Sequence, residues 1–341
     1  MALADPQVRC TLDDERLAET SGLVAEPGGT YEVVNDSGNA STVYVLDDRC
    51  AVIGEREVPE QGRDVEDLAR GADGTLWIAD IGDNGRRRSS VAVLRLAPGG
   101  DETVTRFTYP DGAHDAESLL VPGDDRPVIV TKDLSGRSGV YVAERAPGDS
   151  EEPQPLRRAG EVVVPGEAIT SVGSGTYTGG AISADGRVVA LRTYTDAWLY
   201  PAPGGTATAE DVVTALASPP VRVPLAGEVQ GEALAFAPDG TLLATGRRRR
   251  ASGRRPCSPC PGRPRWRPRA PRPRPPAGRP RSVRASRSRS PPSAWSSPSP
   301  SGCSRSSPSS RWCAGVARPD AANGLFAAST RANSPFARPD P

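Results

Sequence analysis

Three short acidic boxes hold the residues best suited to chemistry. Asp64 and Glu66 stand just before Leu68, Asp115 and Glu117 just before Leu119, and Glu232 two residues before Leu234. Carboxylates brought close together repel one another unless a cation or hydrogen-bond donors intervene. The boxes contain neither His nor Cys, and an all-oxygen donor set suits calcium or magnesium. Asp80, Asp83 and Asn84 lie in one turn segment and can add loop ligands to the metal set. His114 is the only histidine of the chain and adjoins Asp115 and Glu117. It is a candidate general base or a contact for a ligand phosphate or carboxylate. Lys132 and Arg192 follow apolar strands at matching places and are candidates for ligand binding or for balancing the acids. The structural alternative is that acids at strand entries bond backbone N–H groups and fix tight turns, or simply face water. The chain has no Ser-His-Asp order, nucleophile elbow, phosphate loop or dinucleotide fingerprint.

The elements that must position these residues repeat along the chain. Five segments share a small residue and an aliphatic one, then a turn, then an apolar strand. Leu23, Leu68, Leu119, Ile182 and Leu234 mark the period, with steps of 45, 51, 63 and 52 residues. Asp73-Gly74, Asp185-Gly186 and Asp239-Gly240 are hairpin turn signals, and Ser41–Leu46 and Ser138–Ala143 read as outer strands. Units of this size built from short strands predict an all-β protein, a β-propeller. The innermost strand of each blade lines the central channel, so boxes that open inner strands converge on one axis. Five blade starts are visible, and the fifth stops after two strands. About six blades are expected of an intact ring, which leaves this chain cut within its fifth recognisable blade.

Composition changes abruptly after Gly246. Residues 1–246 carry 20 basic and 40 acidic side chains, whereas 247–341 carry 22 Arg and only two Asp. The neutral total is thus an acidic domain (1–246) added to a basic, Arg/Pro/Ser-rich tail (247–341) that has no apolar period and is expected to be disordered. Three readings of the tail compete: a polyanion-binding arm, half of a metal or redox site at Cys257 and Cys260, or out-of-frame translation of a GC-rich gene. The last explains most, because one Lys among 42 basic residues implies strong GC pressure. No nucleic-acid partner is expected for the folded part. No run of about 18 apolar residues suggests a membrane span, and no signal peptide is visible at the start. Cys10 and Cys50 flank the first repeat; they can pair, favouring an oxidising compartment, or stand as free thiols.

In combination, several motifs carry a resemblance. They are Asn35-Asp36-Ser37-Gly38, Asp64-Val65-Glu66-Asp67-Leu68, Ile78-Ala79-Asp80-Ile81-Gly82-Asp83-Asn84, the run from Tyr109 to Leu119, and Gln230-Gly231-Glu232-Ala233. From about Cys10 to Gly246 the chain resembles an actinobacterial-type family of extracytoplasmic β-propellers, mostly of unassigned function. More distantly it is similar to the esterase-like phytase propellers. The resemblance implies secretion or display at the cell surface, with a paired cysteine near the first blade. This chain departs from the family in lacking a visible export signal and the closing blades. The function expected is a binding or scaffold propeller for an unknown small-molecule or protein ligand. The alternative is a divalent-cation-dependent phosphoester or lactone hydrolase that works through metal-bound water.

Overall fold

Short Asp-Gly turns build the hairpins of this chain. In three of them the Asp side chain accepts the N–H two residues on, Asp73 from Thr75 (2.9 Å), Asp185 from Arg187 (3.1 Å) and Asp239 from Thr241 (2.9 Å). The glycine supplies the left-handed backbone that the turn needs, with φ 85° at Gly74. The computed structural model describes residues 6–36, 42–58, 62–148, 152–166, 169, 173–225, 228–249 and 321–328.

Strand β1 (Gln7–Leu12) precedes the first blade, which comprises β2 (Thr20–Ala25), β3 (Tyr31–Asn35), β4 (Thr42–Leu46) and β5 (Val52–Glu57). The second holds β6 (Asp67–Arg70), β7 (Leu76–Asp80), β8 (Val91–Leu96) and β9 (Glu102–Thr108). The third holds β10 (Ala116–Leu120), β11 (Val128–Thr131), β12 (Arg137–Ala143) and β13 (Gln154–Val163). The fourth holds β14 (Tyr177–Ile182), β15 (Val188–Thr193), β16 (Asp196–Pro201) and β17 (Val221–Pro224). Within each of these blades the strands pair antiparallel in chain order, and a short parallel contact between β13 and β9 joins the outer edges of blades two and three. Helix α1 (Ala209–Leu216) packs on blade four behind a capping box of Thr208 and Asp211.

Strands β3, β7, β10 and β11 are buried on both faces, which the sequence accommodates with apolar residues at consecutive positions. Along β7, Leu76 and Ile78 join the core shared with blade one, while Trp77 and Ala79 join the core shared with blade three. The inner strands β2, β6, β10 and β14 are neighbours in order. A fifth inner strand, β18 (Glu228–Phe236), lies between β14 and β2 and closes the ring. All five marks of the sequence period fall in inner strands, so the expected all-β propeller is what forms.

The last blade differs from expectation. After β18 and β19 (Leu242–Arg249) it is not left at two strands: β20 (Ala321–Ala328) pairs with β19, and β1 pairs with β20. The physical reason is the unpaired edge of β19, whose N–H and C=O groups need partners. Residues 320–330 are the longest run without Arg or Pro after Gly246, so 321–328 can enter a ladder. Five blades are present among the described residues, and no sixth. The readings of the tail that concern 250–320, including Cys257 and Cys260, lie outside the described residues. Cys10 of β1 is disulfide-bonded to Cys50 in the β4–β5 turn, which ties the fifth blade to the first.

Candidate functional site

The candidate site grows from one local irregularity repeated around the ring. Where inner strands begin, the register slips by a residue. In β2, Thr20 opposes Asn35 but Gly22 opposes Val34; in β10, Ala116 opposes Thr131 but Ser118 opposes Val130; in β14, Tyr177 opposes Thr193 but Gly179 opposes Arg192. β18 slips between Gly231 and Leu234. Such bulges re-aim a side chain out of the regular pleat. The bulged positions are Ser21, Glu117 and Thr178, with Glu232 in the slipped segment of β18. Glu66 stands in the corresponding place before β6, its N–H bonded to the Ala79 carbonyl (2.9 Å). Each blade therefore contributes one such residue, and three of the five are glutamates.

These residues reach their neighbours in the ring. Ser21 Oγ donates to the Glu66 carbonyl and lies 3.5 Å from its Oε2. Thr178 Oγ1 donates to the Gly231 carbonyl at 2.8 Å. Glu117 is ion-paired with Lys132, whose Nζ lies 6.0 Å from the centre of the Tyr194 ring. Asp36, Lys132 and Tyr194 are the residues immediately after β3, β11 and β15. Asp36, Asp64 and Glu66 each offer a carboxylate oxygen, and the three oxygens lie within 4.8 Å of one another.

Burial sets the electrostatics of this well. Glu66 is 2 % exposed, and desolvation together with Glu117, Asp36 and Asp64 pushes its pKa well above the usual carboxylate range. Its Oε1 has no hydrogen-bond partner. A Cβ on Gly82 would lie 2.3 Å from that oxygen and 2.6 Å from Asp64 Oδ2, so only glycine leaves the two carboxylates their place. Glu117 is pushed up to about 8 by burial, with Glu232 and Asp115 adding to the rise and Lys132 opposing it. A carboxyl group whose folded pKa is raised favours the fold fully below its unfolded value, near 4.5, and loses that contribution as pH rises through about 8. In metal-free buffer, melting temperature is therefore expected to fall between pH 5 and pH 9. Glu117→Gln should make that slope shallower, the raised Glu66 leaving part of it, and an unchanged slope in the variant would remove Glu117 as a contributor.

The other sequence candidates are distributed more widely. Asp80 is bound bidentately by Arg88 (2.9 and 2.7 Å) and accepts the N–H groups of Arg63 and Asp64. Asp83 accepts the Arg88 N–H, and its own N–H donates to Asp115 Oδ1 at 2.8 Å. Asn84 is exposed. His114 packs edge-on against Tyr109, with Nε2 2.9 Å from both Asp111 Oδ1 and the Tyr141 hydroxyl. Arg192 is fully buried and donates to the carbonyls of Ala233, Thr245 and Thr193, clasping blade four to blade five. Glu232 is half-buried, and its charge acts on Glu117 and Tyr194.

Three residues of the centre were not among the sequence candidates. Asp36 and Tyr194 could have been found by aligning the repeats on Lys132. Asp67, fully buried, accepts N–H groups from Leu68 (2.9 Å), Leu119 (2.9 Å) and Gly180 (3.2 Å), joining three blades at the axis. Near the other ends of the inner strands a cavity of about 660 Å³ is lined by Ala25, Arg70, Val121, Ile182 and Phe236 but by none of the box acids. The acids thus belong to one end of the channel.

No protein-family model matches this chain, and no curated protein matches it in sequence. Among solved structures it is similar to a gluconolactonase from Xanthomonas campestris, at 13 % identity and a TM-score of 0.39, over 67 % of this chain and 69 % of that one. It is similar to a streptogramin B lyase at 12 % identity and a TM-score of 0.37, over 70 % and 93 %. The β-propeller domain of a Myceliophteria thermophila protein aligns at 12 % identity and a TM-score of 0.38, over 71 % and 96 %.

Proposed function

We propose that this protein is an extracytoplasmic binding propeller, of the actinobacterial type its motifs resemble, whose axial well holds a divalent cation. Through that cation it holds a small-molecule or protein ligand. The observation that carries this is the Asp36–Asp64–Glu66 cluster, with one Glu66 oxygen buried and without a partner. A cation relieves the repulsion among the three acids, and their oxygen donors favour calcium or magnesium. The disulfide between Cys10 and Cys50 supports an oxidising compartment.

The test is thermal melting with calcium, with magnesium and with chelator. A ligand at roughly 100 times its Kd stabilises the folded state by about 2.7 kcal/mol, which raises Tm by about 5–10 °C for a domain of this size. Glu66→Gln should abolish the rise. No shift with either ion in the parent protein would sink the proposal.

A hydrolytic reading is favoured by one further feature: Glu117, beside the well, can carry a proton near neutral pH and so act as a general acid. Cation-dependent cleavage of a phosphoester or a lactone, lost in Glu117→Gln while the cation still raises Tm, would select that reading over binding alone.

A further inference from the structure

The fifth blade is assembled from three separate stretches of chain. Elsewhere the second and third strands of a blade are joined by two to ten residues, whereas 71 residues (250–320) separate β19 from β20. β20 nevertheless lies in full antiparallel register on β19, from Leu242 opposite Ala328 to Arg249 opposite Ala321. Its other edge pairs with β1, where Phe326 opposes Val8 and Leu325 opposes Cys10. With β20 withdrawn, β19 and β1 would present facing unpaired edges one strand apart, with β1 still tied to the first blade by Cys10–Cys50.

We propose that the gap between β19 and β1 is a strand-acceptor site, which takes an extended uncharged peptide by β-augmentation and which residues 321–328 occupy in cis. Main-chain hydrogen bonds on both edges supply the affinity, and side-chain pockets on alternate faces supply the selectivity. Leu325, 1 % exposed, enters the core between blades five and one beside Leu12, Leu23 and Tyr31. Ala328 enters the core between blades four and five beside Leu199 and Leu234. A Cβ at Gly324 would come within 3.3 Å of the Cys10 carbonyl of β1, tighter than ordinary contact, so the site favours a small residue there. The partner chemistry is a glycine or similarly small residue followed by two large apolar ones, in a segment free of charge and proline. A strand held through so long a connection is a tethered ligand, present at an effective concentration no higher than roughly the millimolar range. The same sequence in trans can therefore compete with it. This inference is independent of the cation proposal.

The experiment uses the full chain and a fluorescein-labelled peptide with the 321–328 sequence, followed by anisotropy. Leu325→Asp combined with Phe326→Asp weakens the cis strand, and this variant should take up one peptide with at least tenfold higher affinity than the parent chain. A peptide of the same residues in scrambled order should not bind. A variant that melts cooperatively yet takes up no peptide, or one that binds no better than the parent, would overturn the proposal. Where the variant does not fold, the unaltered chain decides. At roughly 1 mM peptide, uptake of the ordered sequence and not of the scrambled one supports the site, and no uptake overturns it.

Discussion

Asp67→Ala is expected to destabilise the ring by about 3–5 kcal/mol, because it leaves three backbone N–H groups orphaned in the protein centre at about 1–3 kcal/mol each. An opposing effect tempers the sum. Burial, with Glu117 nearby, holds the Asp67 pKa well above the usual carboxylate range against the three N–H donors that lower it, so alanine also removes an unfavourably buried acid. The orphaned donors outnumber that single relief, and the net sign is destabilising. Asp67→Asn should fall between the two, since its amide retains one acceptor oxygen but turns an NH₂ group toward a backbone donor. Urea unfolding of the three proteins measures this directly. Stability in the alanine variant within about 1 kcal/mol of the parent would show that the N–H groups find other partners, and that the blades are not joined through this carboxylate.

Loss of the Cys10–Cys50 bond is expected to have the next largest effect. It closes a loop with a sequence separation of 40 residues and joins the outer strand of the fifth blade to the first. Bridges of this loop length contribute about 2–4 kcal/mol, which corresponds to a fall in Tm of about 5–15 °C in a domain of this size. The location adds a second consequence. β1 covers the outer edge of β20, so its release would expose an unpaired edge and loosen the seam where the ring closes. Calorimetry of Cys10→Ser, Cys50→Ser and the reduced parent should give three similar midpoints below the oxidised parent. Equal midpoints with and without reductant would mean that the seam holds by strand pairing alone.

The five-blade repeat was legible because its signals are local. Short apolar runs and tight turns, Asp-Gly in three of the five inner hairpins, specify the hairpins without reference to the rest of the chain, so Leu23, Leu68, Leu119, Ile182 and Leu234 all mark inner strands. The gathering of acids near the axis followed from the same fact, since every box opens an inner strand. Within a box, however, spacing did not tell which acid enters the well. Asp115 and Glu117 are two residues apart, yet Asp115 accepts a backbone N–H from blade two while Glu117 occupies a bulge and meets Lys132. Asp64 and Glu66 join Asp36, from a different blade.

Repeat spacing, apolar runs and turn signals by themselves pointed to a propeller and to where its blades begin, and they put acids at the starts of inner strands. Only the tertiary structure decided which carboxylates face one another, that Asp67 joins three blades, and that a strand beginning at Ala321 completes the fifth. The physical reason is that bulge register and edge pairing depend on partners far away in sequence. A carboxylate takes its role from the N–H groups and charges that the ring brings to it, and an open strand edge takes whichever segment can complete its hydrogen bonds.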